Sequence, residues 1–456
     1  MTILPIKSLE IENFRGVRHL KLELHHKVTV LFGANATGKT SVLDALCIGL
    51  GPVSSRYSPG GKGRSFEKHG DIRIPYKDRP KFNERAAVEC PYVRISVATE
   101  TGIEWQVVKS RSALDRSRTP QASLKSLHNV VDPLVREALN AQRDATTSPL
   151  PLPAMYGTER SVVEIPLREK GFRTEPERFE ASDLSRSAST KFKTVFEWFR
   201  VMEDQERRER ENRRDFDYKL PELEWVRQAV NKSNLRCMNP RIETKPIRMI
   251  VDFLHNDGET EPLDIRSLSD GFRTHLSLVV DIARRMVQLN FSPDTRDPNR
   301  GTASPAIILI DEIDLHLDPL WQSQVVHGLL NAFPNAQFVI TTHSEQVLGS
   351  VDAASVRKLL WVDGEISVES VPFAQGATGE RILIDLMGAP ERPDGPVTRK
   401  LRHYLHMVDN GEGYSEEARA MRAELESLLP NEPALRHARL EMQRRNLMEK
   451  LKAAEE

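Results

Sequence analysis

Residues Val28 to Ser41, VTVLFGANATGKTS, constrain this chain more than any other stretch. Gly33 is followed, after four residues, by Gly38, Lys39 and Thr40, which is the spacing of a loop that wraps phosphate. The β-branched run before it reads as a buried strand, and Ser41-Val-Leu-Asp-Ala-Leu after it reads as a helix. A strand feeding a glycine-rich turn that opens a helix points several backbone N–H groups and the helix dipole at one spot, and such a spot holds phosphate oxygens. The candidate binding residues are Gly33, Asn35, Ala36, Thr37, Gly38, Lys39, Thr40 and Ser41. Lys39 is placed to reach the β- and γ-phosphates and the Thr40 hydroxyl to hold Mg²⁺. A chance glycine loop between two core elements is the bland alternative, and the flanking strand and helix argue against it. Nucleotide binding is the expectation.

A length of 456 residues suggests two or three domains, or one large core with insertions. Hydrophobic residues make up 39% and charged residues 29%, the balance of a globular rather than a disordered chain. No apolar run reaches the roughly 18 residues that would cross a bilayer, and MTILPIKSLEIENF lacks the basic-then-apolar order of a signal peptide. Cys47, Cys90 and Cys237 are too widely separated for a disulfide framework or a CxxC metal site. A cytoplasmic location is therefore expected. The net charge of −1 argues against a protein that coats nucleic acid. A local cluster remains, with Arg56, Lys62, Arg64, Lys68, Arg73, Lys77, Arg79 and Lys81 in close succession. It reads either as a solvated insertion or as a surface for a phosphate backbone.

Along the chain, residues 1–55 read as the first half of a nucleotide-binding core, with strands around Arg15-Gly16 preceding the phosphate loop. Residues 56–120 read as a basic loop and a β-hairpin, YVRISVATETGIEWQVVK, beside an antiparallel sheet. Residues 121–245 read as a helical insertion, with Phe196, Phe199, Val201 and Met202 spaced for one helix face. Within it, AMYGTER follows a proline-rich break, where a core strand is expected to end at the nucleotide site. Residues 246–372 read as the second half of the core, and 373–456 as a helical tail.

The second half carries four further motifs. Leu268-Ser269-Asp270-Gly271-Phe272-Arg273 precedes an apolar helix, and Ser269 and Gly271 at its start can present a hydroxyl and N–H groups to phosphate. Alone, Ser-Asp-Gly is an ordinary helix cap. Ala306-Ile-Ile-Leu-Ile then ends in Asp311 and Glu312, an apolar run of the kind found in buried parallel strands, whose carboxyl ends carry ligands. Asp311 is the candidate Mg²⁺ residue with Thr40, and Glu312 the candidate group that polarises an attacking water. Asp318 is either a contact across a subunit interface or a helix-capping acid. Gln337-Phe-Val-Ile-Thr-Thr leads to His343, which can donate a hydrogen bond to a γ-phosphate.

In this order the motifs resemble the ATP-binding-cassette (ABC-type) ATPases, in the branch that holds the SMC, RecF-type and OLD-family proteins: FGANATGKTS as Walker A, LSDGFRT as the signature, IILIDEIDLHLDP as Walker B with the D-loop, and TTHS as the H-loop. The resemblance covers roughly residues 1–55 and 245–365. It implies an α/β fold: an ABC-ATPase head, with a P-loop NTPase mixed sheet and an antiparallel subdomain, carrying a helical insertion and a helical C-terminal tail. It implies ATP and Mg²⁺ as cofactors, and a homodimer or higher even-numbered oligomer in which Ser269 and Gly271 of one head complete the site built on Lys39 of another. The family's Q-loop glutamine has two candidates here, Gln106 and Gln142. The tail resembles that of the standalone PtuA-type ATPases of the Septu anti-phage system, which implies a separate effector chain, an HNH-type nuclease. No Toprim-like DxD follows His343, and no HNH or metal-binding His/Cys cluster is evident, so any cutting group is expected on another chain. Two further readings stay open: a RecF- or SMC-like repair ATPase acting directly on DNA, and an ATP-binding scaffold with negligible turnover. The trigger of the first reading would be nucleic acid or a phage-derived molecule.

Overall fold

The structure, a computed structural model, describes residues 3–57, 63–75, 88–140, 148–161, 178–182, 184, 189–233, 236–255, 257–291 and 301–455. The chain divides into two compact units, Met1–Ile382 and Leu383–Glu456.

In the first unit, β1 (Ile6–Phe14) and β2 (Val17–Glu23) form a hairpin, and β3 (Val28–Phe32) runs into helix α1 (Lys39–Tyr57). The alternating strands β4 (Tyr92–Thr99) and β5 (Glu104–Ser110) form a second hairpin. It adds to β1, with Ile11 opposite Ile95, and makes an antiparallel sheet of order β2-β1-β4-β5. The hairpin within 56–120 thus extends the antiparallel sheet built on β1, and α1 packs against β4, whose residues Val93, Ile95 and Val97 are buried.

Helix α2 (Lys125–Asn140) precedes β6 (Leu152–Tyr156), and helices α3 (Ser189–Arg213) and α4 (Pro221–Lys232) follow it. Next come β7 (Cys237–Thr244), β8 (Ile247–Leu254) and β9 (Thr260–Asp264), a small antiparallel sheet. After helix α5 (Asp270–Leu289) the chain lays down β10 (Ala306–Ile310), β11 (Ala336–Thr341), β12 (Val356–Val362) and β13 (Glu365–Ser370). The central sheet has the order β13-β12-β3-β11-β10-β6. Strands β12, β3, β11, β10 and β6 are parallel to their neighbours, and β13 is an antiparallel edge. Every residue of β3, β10 and β11 is buried, as expected of parallel strands covered on both faces.

The stretch 121–245 is therefore not purely helical: β6 completes the central sheet, pairing Ile310 with Tyr156. The core strand end expected at Ala154-Met-Tyr is the end of β6, whereas its parallel partner, far along the chain, leaves no local mark. Strand β7 lies before the expected boundary at 246 but pairs with β8, which follows it. Between α3 and α4, Glu203 and Glu206 are buried and held by Arg227, whose nitrogens lie 3.2 Å from each carboxylate. Glu203 also accepts the Ile242 N–H, at 3.0 Å, which ties the helix pair to β7.

The second unit contains three helices, Pro396–Asp409, Glu416–Leu428 and Pro433–Glu455, around a core that includes Leu401, Tyr404, Val408, Leu425 and Met442. Residues 373–382, placed in the tail by sequence, fall in the first unit. Among the described residues no helix is long and apolar enough to cross a membrane.

Candidate functional site

Strands β3, β10 and β11 end on the same edge of the central sheet, with Ile340 level with both Val30 and Ile310. Loops leaving that edge bring together residues far apart in sequence. Gly33 to Gly38 form the turn between β3 and α1, with Ala34, Asn35 and Ala36 exposed at its crest and Thr37 and Lys39 buried beneath. Gly38 has φ +85°, a conformation that favours glycine, and a Cβ there would stand 2.6 Å from Ile366 Cδ1. Thr37 Oγ1 donates to the Ala34 carbonyl at 2.8 Å and closes the turn. Lys39 Nζ donates to the carbonyls of Gly33 and Ala34, at 2.9 and 3.0 Å. Burial pushes the Lys39 pKa below its ordinary value, against the opposing pull of Asp311, Glu312 and Asp314. Ser41 lies one residue further into α1, half-buried.

Across the site, Thr40 Oγ1 donates to Asp311 Oδ2 at 2.8 Å, joining the first turn of α1 to the end of β10. The other Asp311 oxygen, Oδ1, accepts from Thr341 Oγ1 at 2.5 Å, and the Glu312 N–H donates to that same hydroxyl at 2.7 Å. Glu312 has φ +49°, an uncommon conformation outside glycine that concentrates where function holds the backbone. Thr342 Oγ1 donates to Asp314 Oδ1 at 2.6 Å, and His343 is exposed two residues past β11. Thr341 and Thr342 were not singled out in the sequence. Their signal was present as the Thr-Thr ahead of His343, but only the parallel pairing of β10 with β11 turns it into a clamp on the acids.

The signature residues stand elsewhere. Ser269 caps α5 in position, exposed and with no side-chain capping bond. Gly271 is buried, and a Cβ there would meet the His316 carbonyl oxygen at 2.3 Å, so glycine lets the start of α5 pack onto the loop after β10. Asp318 caps the short helix Pro319–Gln322, accepting N–H bonds from Leu320 and Trp321; it is also exposed. Ser269, Gly271, His316, Asp318 and Trp321 line one cleft, and no residue of the phosphate loop lines it.

Of the basic cluster, Arg56 bonds Asp132 at 2.7 Å and Arg64 bonds Asp44 at 2.8 Å. Arg15 bonds Asp44 and Asp71, at 2.6 and 3.0 Å. Burial opposes its charge, yet these two acids hold its pKa above the ordinary value. Lys62, Lys77, Arg79 and Lys81 lie outside the described residues. Gln106 sits in β5 and donates to the Gln121 carbonyl, while Gln142 lies outside the described residues.

Two AAA-domain family models match the chain, one over residues 8–234 and the other over 147–349. Together these models span residues 8–349, and the chain belongs to the AAA-family ATPases. Among its relatives is the "Retron Ec83 probable ATPase" of Escherichia coli, 26% identical over 97% of this chain and 87% of that protein. The "Septu protein PtuA" of Bacillus thuringiensis is 32% identical over 27% of this chain and 32% of that protein. A solved SMC head bound to the C-terminal winged-helix domain of ScpA aligns over 81% of this chain and 98% of its own, at 14% identity and a TM-score of 0.43.

Proposed function

We infer that this protein binds Mg²⁺·ATP on the loop Gly33–Ser41 and hydrolyses it, and that its nucleotide state governs a separately encoded effector of the nuclease class in anti-phage defence. The observation that carries the ATPase reading is the 2.8 Å contact of Thr40 with Asp311 beside a buried lysine. Thr40 and Asp311 together offer hard oxygen donors, which suits Mg²⁺. Bound there, the ion would neutralise charge on the phosphates.

The chain's own groups do the rest. Backbone N–H groups of the loop bind the phosphates, and Lys39 exchanges its two carbonyl partners for phosphate oxygens. Glu312 orients and polarises the attacking water, its backbone fixed by Thr341. His343 donates a hydrogen bond to the γ-phosphate. Ser269 and Gly271 of a second copy close the site from above, which agrees with their cleft being lined by no phosphate-loop residue. Asp318 belongs to the same closing surface. The defence role draws on the full-length likeness to a retron ATPase and the partial likeness to a Septu ATPase.

ATP hydrolysis and light scattering of three variants test this reading. Glu312→Gln should retain ATP and accumulate a dimer; turnover at the wild-type rate would remove Glu312 as the polarising group. Ser269→Arg should lose turnover and regain part of it when mixed with Lys39→Ala, since mixed dimers contain one intact composite site. Co-purification from the native operon tests the effector: a nuclease-like second chain supports the defence reading, and a partnerless dimer bound to DNA ends supports direct repair.

A further inference from the structure

Helix α5, which opens at Ser269 and Gly271, is fastened to strand β6 at two places. At the far end of the helix, Asn290 takes both backbone groups of Leu150, accepting its N–H at 2.8 Å and donating to its carbonyl at 2.7 Å. Nearer the start, Asp281 Oδ2 accepts from the Tyr156 hydroxyl at 2.9 Å. Leu150 precedes β6 and Tyr156 ends it, so α5 runs antiparallel to β6 and continues past the carboxyl end of that strand. At the usual helical rise, Asp281 lies about 18 Å from the cap at Ser269. Ser269 and Gly271 therefore stand at the far end of a lever whose fulcrum is Asp281.

That fulcrum is held at a fixed distance. Tyr156 and Asp281 are both buried. The other Asp281 oxygen, Oδ1, accepts from Arg284 Nη2 and Nε at 2.7 and 3.2 Å, and Arg284 Nη1 donates to Gln288 at 2.7 Å. The carboxylate is thus oriented by its own helix, with its second oxygen presented to Tyr156. A charged acceptor away from water makes a strong, directional bond, whereas buried aliphatic neighbours on α5 such as Leu278 and Ile282 pack without direction. Tyr156 also acts through its backbone, where its carbonyl accepts the Asp311 N–H at 2.9 Å. One residue therefore holds the main chain of the Mg²⁺ candidate and the side chain that registers α5.

We propose that Tyr156 is a positioning residue for ATP hydrolysis: through Asp281 its hydroxyl sets where Ser269 and Gly271 stand, and so governs the nucleotide site of a second copy rather than its own. This rests on the two-copy site proposed above and adds the side chain that aims one half of it. A small tilt at Asp281 grows along the lever, and a misplacement of about 1 Å at a reacting centre can cost roughly 100-fold in rate. The Tyr156 carbonyl, by contrast, acts on Asp311 of the same chain, and Tyr156→Phe leaves that carbonyl in place.

The experiment uses the whole chain and compares wild type, Tyr156→Phe, Ser269→Arg and Lys39→Ala by calorimetry with Mg²⁺·ATP and by phosphate release. Tyr156→Phe should bind ATP within about twofold of wild type while turnover falls roughly tenfold. Mixing gives the direction. Lys39→Ala supplies an intact α5 start but no working phosphate loop, so adding it should raise phosphate release per Tyr156→Phe chain several-fold. Wild-type turnover in Tyr156→Phe overturns the proposal. So does a loss matched by weaker ATP binding, which marks general damage, and so does a loss that Lys39→Ala does not relieve, which assigns the defect to the chain's own site. Ser269→Arg, mixed with Lys39→Ala in parallel, separates the two readings: if it too goes unrelieved, the two-copy site itself falls. Asp281→Asn weakens the same bond from the helix side and should show the same loss and the same relief, which keeps the test decisive should Tyr156→Phe fail to fold. An Asp281→Asn defect that Lys39→Ala does not relieve also overturns the proposal.

Discussion

The ends of β10 and β11 and the α3–α4 helix pair both bury carboxylates, and they stabilise them differently. Between the helices, Glu203 and Glu206 lie within ion-pair distance of Arg227, and Arg210 adds a second cation to Glu206 at 2.9 Å. At the sheet edge, Asp311 is gripped by the hydroxyls of Thr40 and Thr341. Arginine pairing fixes an acid for structure, because removing either partner strands a buried charge. Hydroxyls orient an acid while leaving it able to meet a cation. The first arrangement builds the scaffold, and the second sets the orientation of an acid at the end of β10.

The strongest way to break this comparison is Lys39→Ala. Loss of a charged donor to phosphate should weaken ATP binding by about 100-fold or more while leaving the melting temperature near wild type, as read by calorimetry and thermal denaturation. An unchanged affinity would end the distinction. Next, Glu312→Gln should lower turnover by roughly 100-fold or more with ATP still bound, as measured by phosphate release and nucleotide retention. In the scaffold, Arg227→Met should cost about 3 kcal/mol of stability and leave ATP affinity unchanged, as measured by urea unfolding. A large affinity loss there would mean that the helix pair and the nucleotide site are one unit energetically.

Thr341→Val keeps the shape and removes the hydroxyl shared by Asp311 and Glu312. It should cost roughly 1–3 kcal/mol, expressed mainly as slower turnover. The smallest effect concerns pH. Burial raises the Glu203 pKa, outweighing the bond from Ile242 and the pairing with Arg227 and Arg207. A carboxyl whose folded pKa exceeds its unfolded value stabilises the fold fully below the unfolded pKa, about 4.3, and loses that contribution as pH rises through the folded one. Glu203→Gln should therefore flatten the stability–pH curve in that window; an unchanged slope would show that arginine pairing dominates instead.

Much of this is legible in the sequence alone. The spacing from Gly33 to Thr40 and the apolar runs ending at Asp311 and Thr341 describe backbone turns and buried strands that local sequence encodes directly. The β4–β5 hairpin was legible as a hairpin, but its addition to β1 was not, since the two segments are distant and alternation specifies a face without naming a partner. The end of strand β6 was legible at Ala154-Met-Tyr, but its parallel pairing with β10 was not, for the same reason. Thr341, Gly271 against the His316 carbonyl and Tyr156 against Asp281 carry little meaning until the sheet is assembled.

The sequence by itself determined the class of ligand, because a phosphate loop is a short, contiguous conformation that a few residues at fixed spacing dictate. It also placed the motifs that end the buried strands β3, β10 and β11. Only the tertiary structure decided which strand lies beside which, hence which hydroxyl holds Asp311, which turn forces Gly271 and which acid Tyr156 meets. Those pairings join residues from 30 to several hundred positions apart, and their energy comes from packing that exists only once both partners are in place.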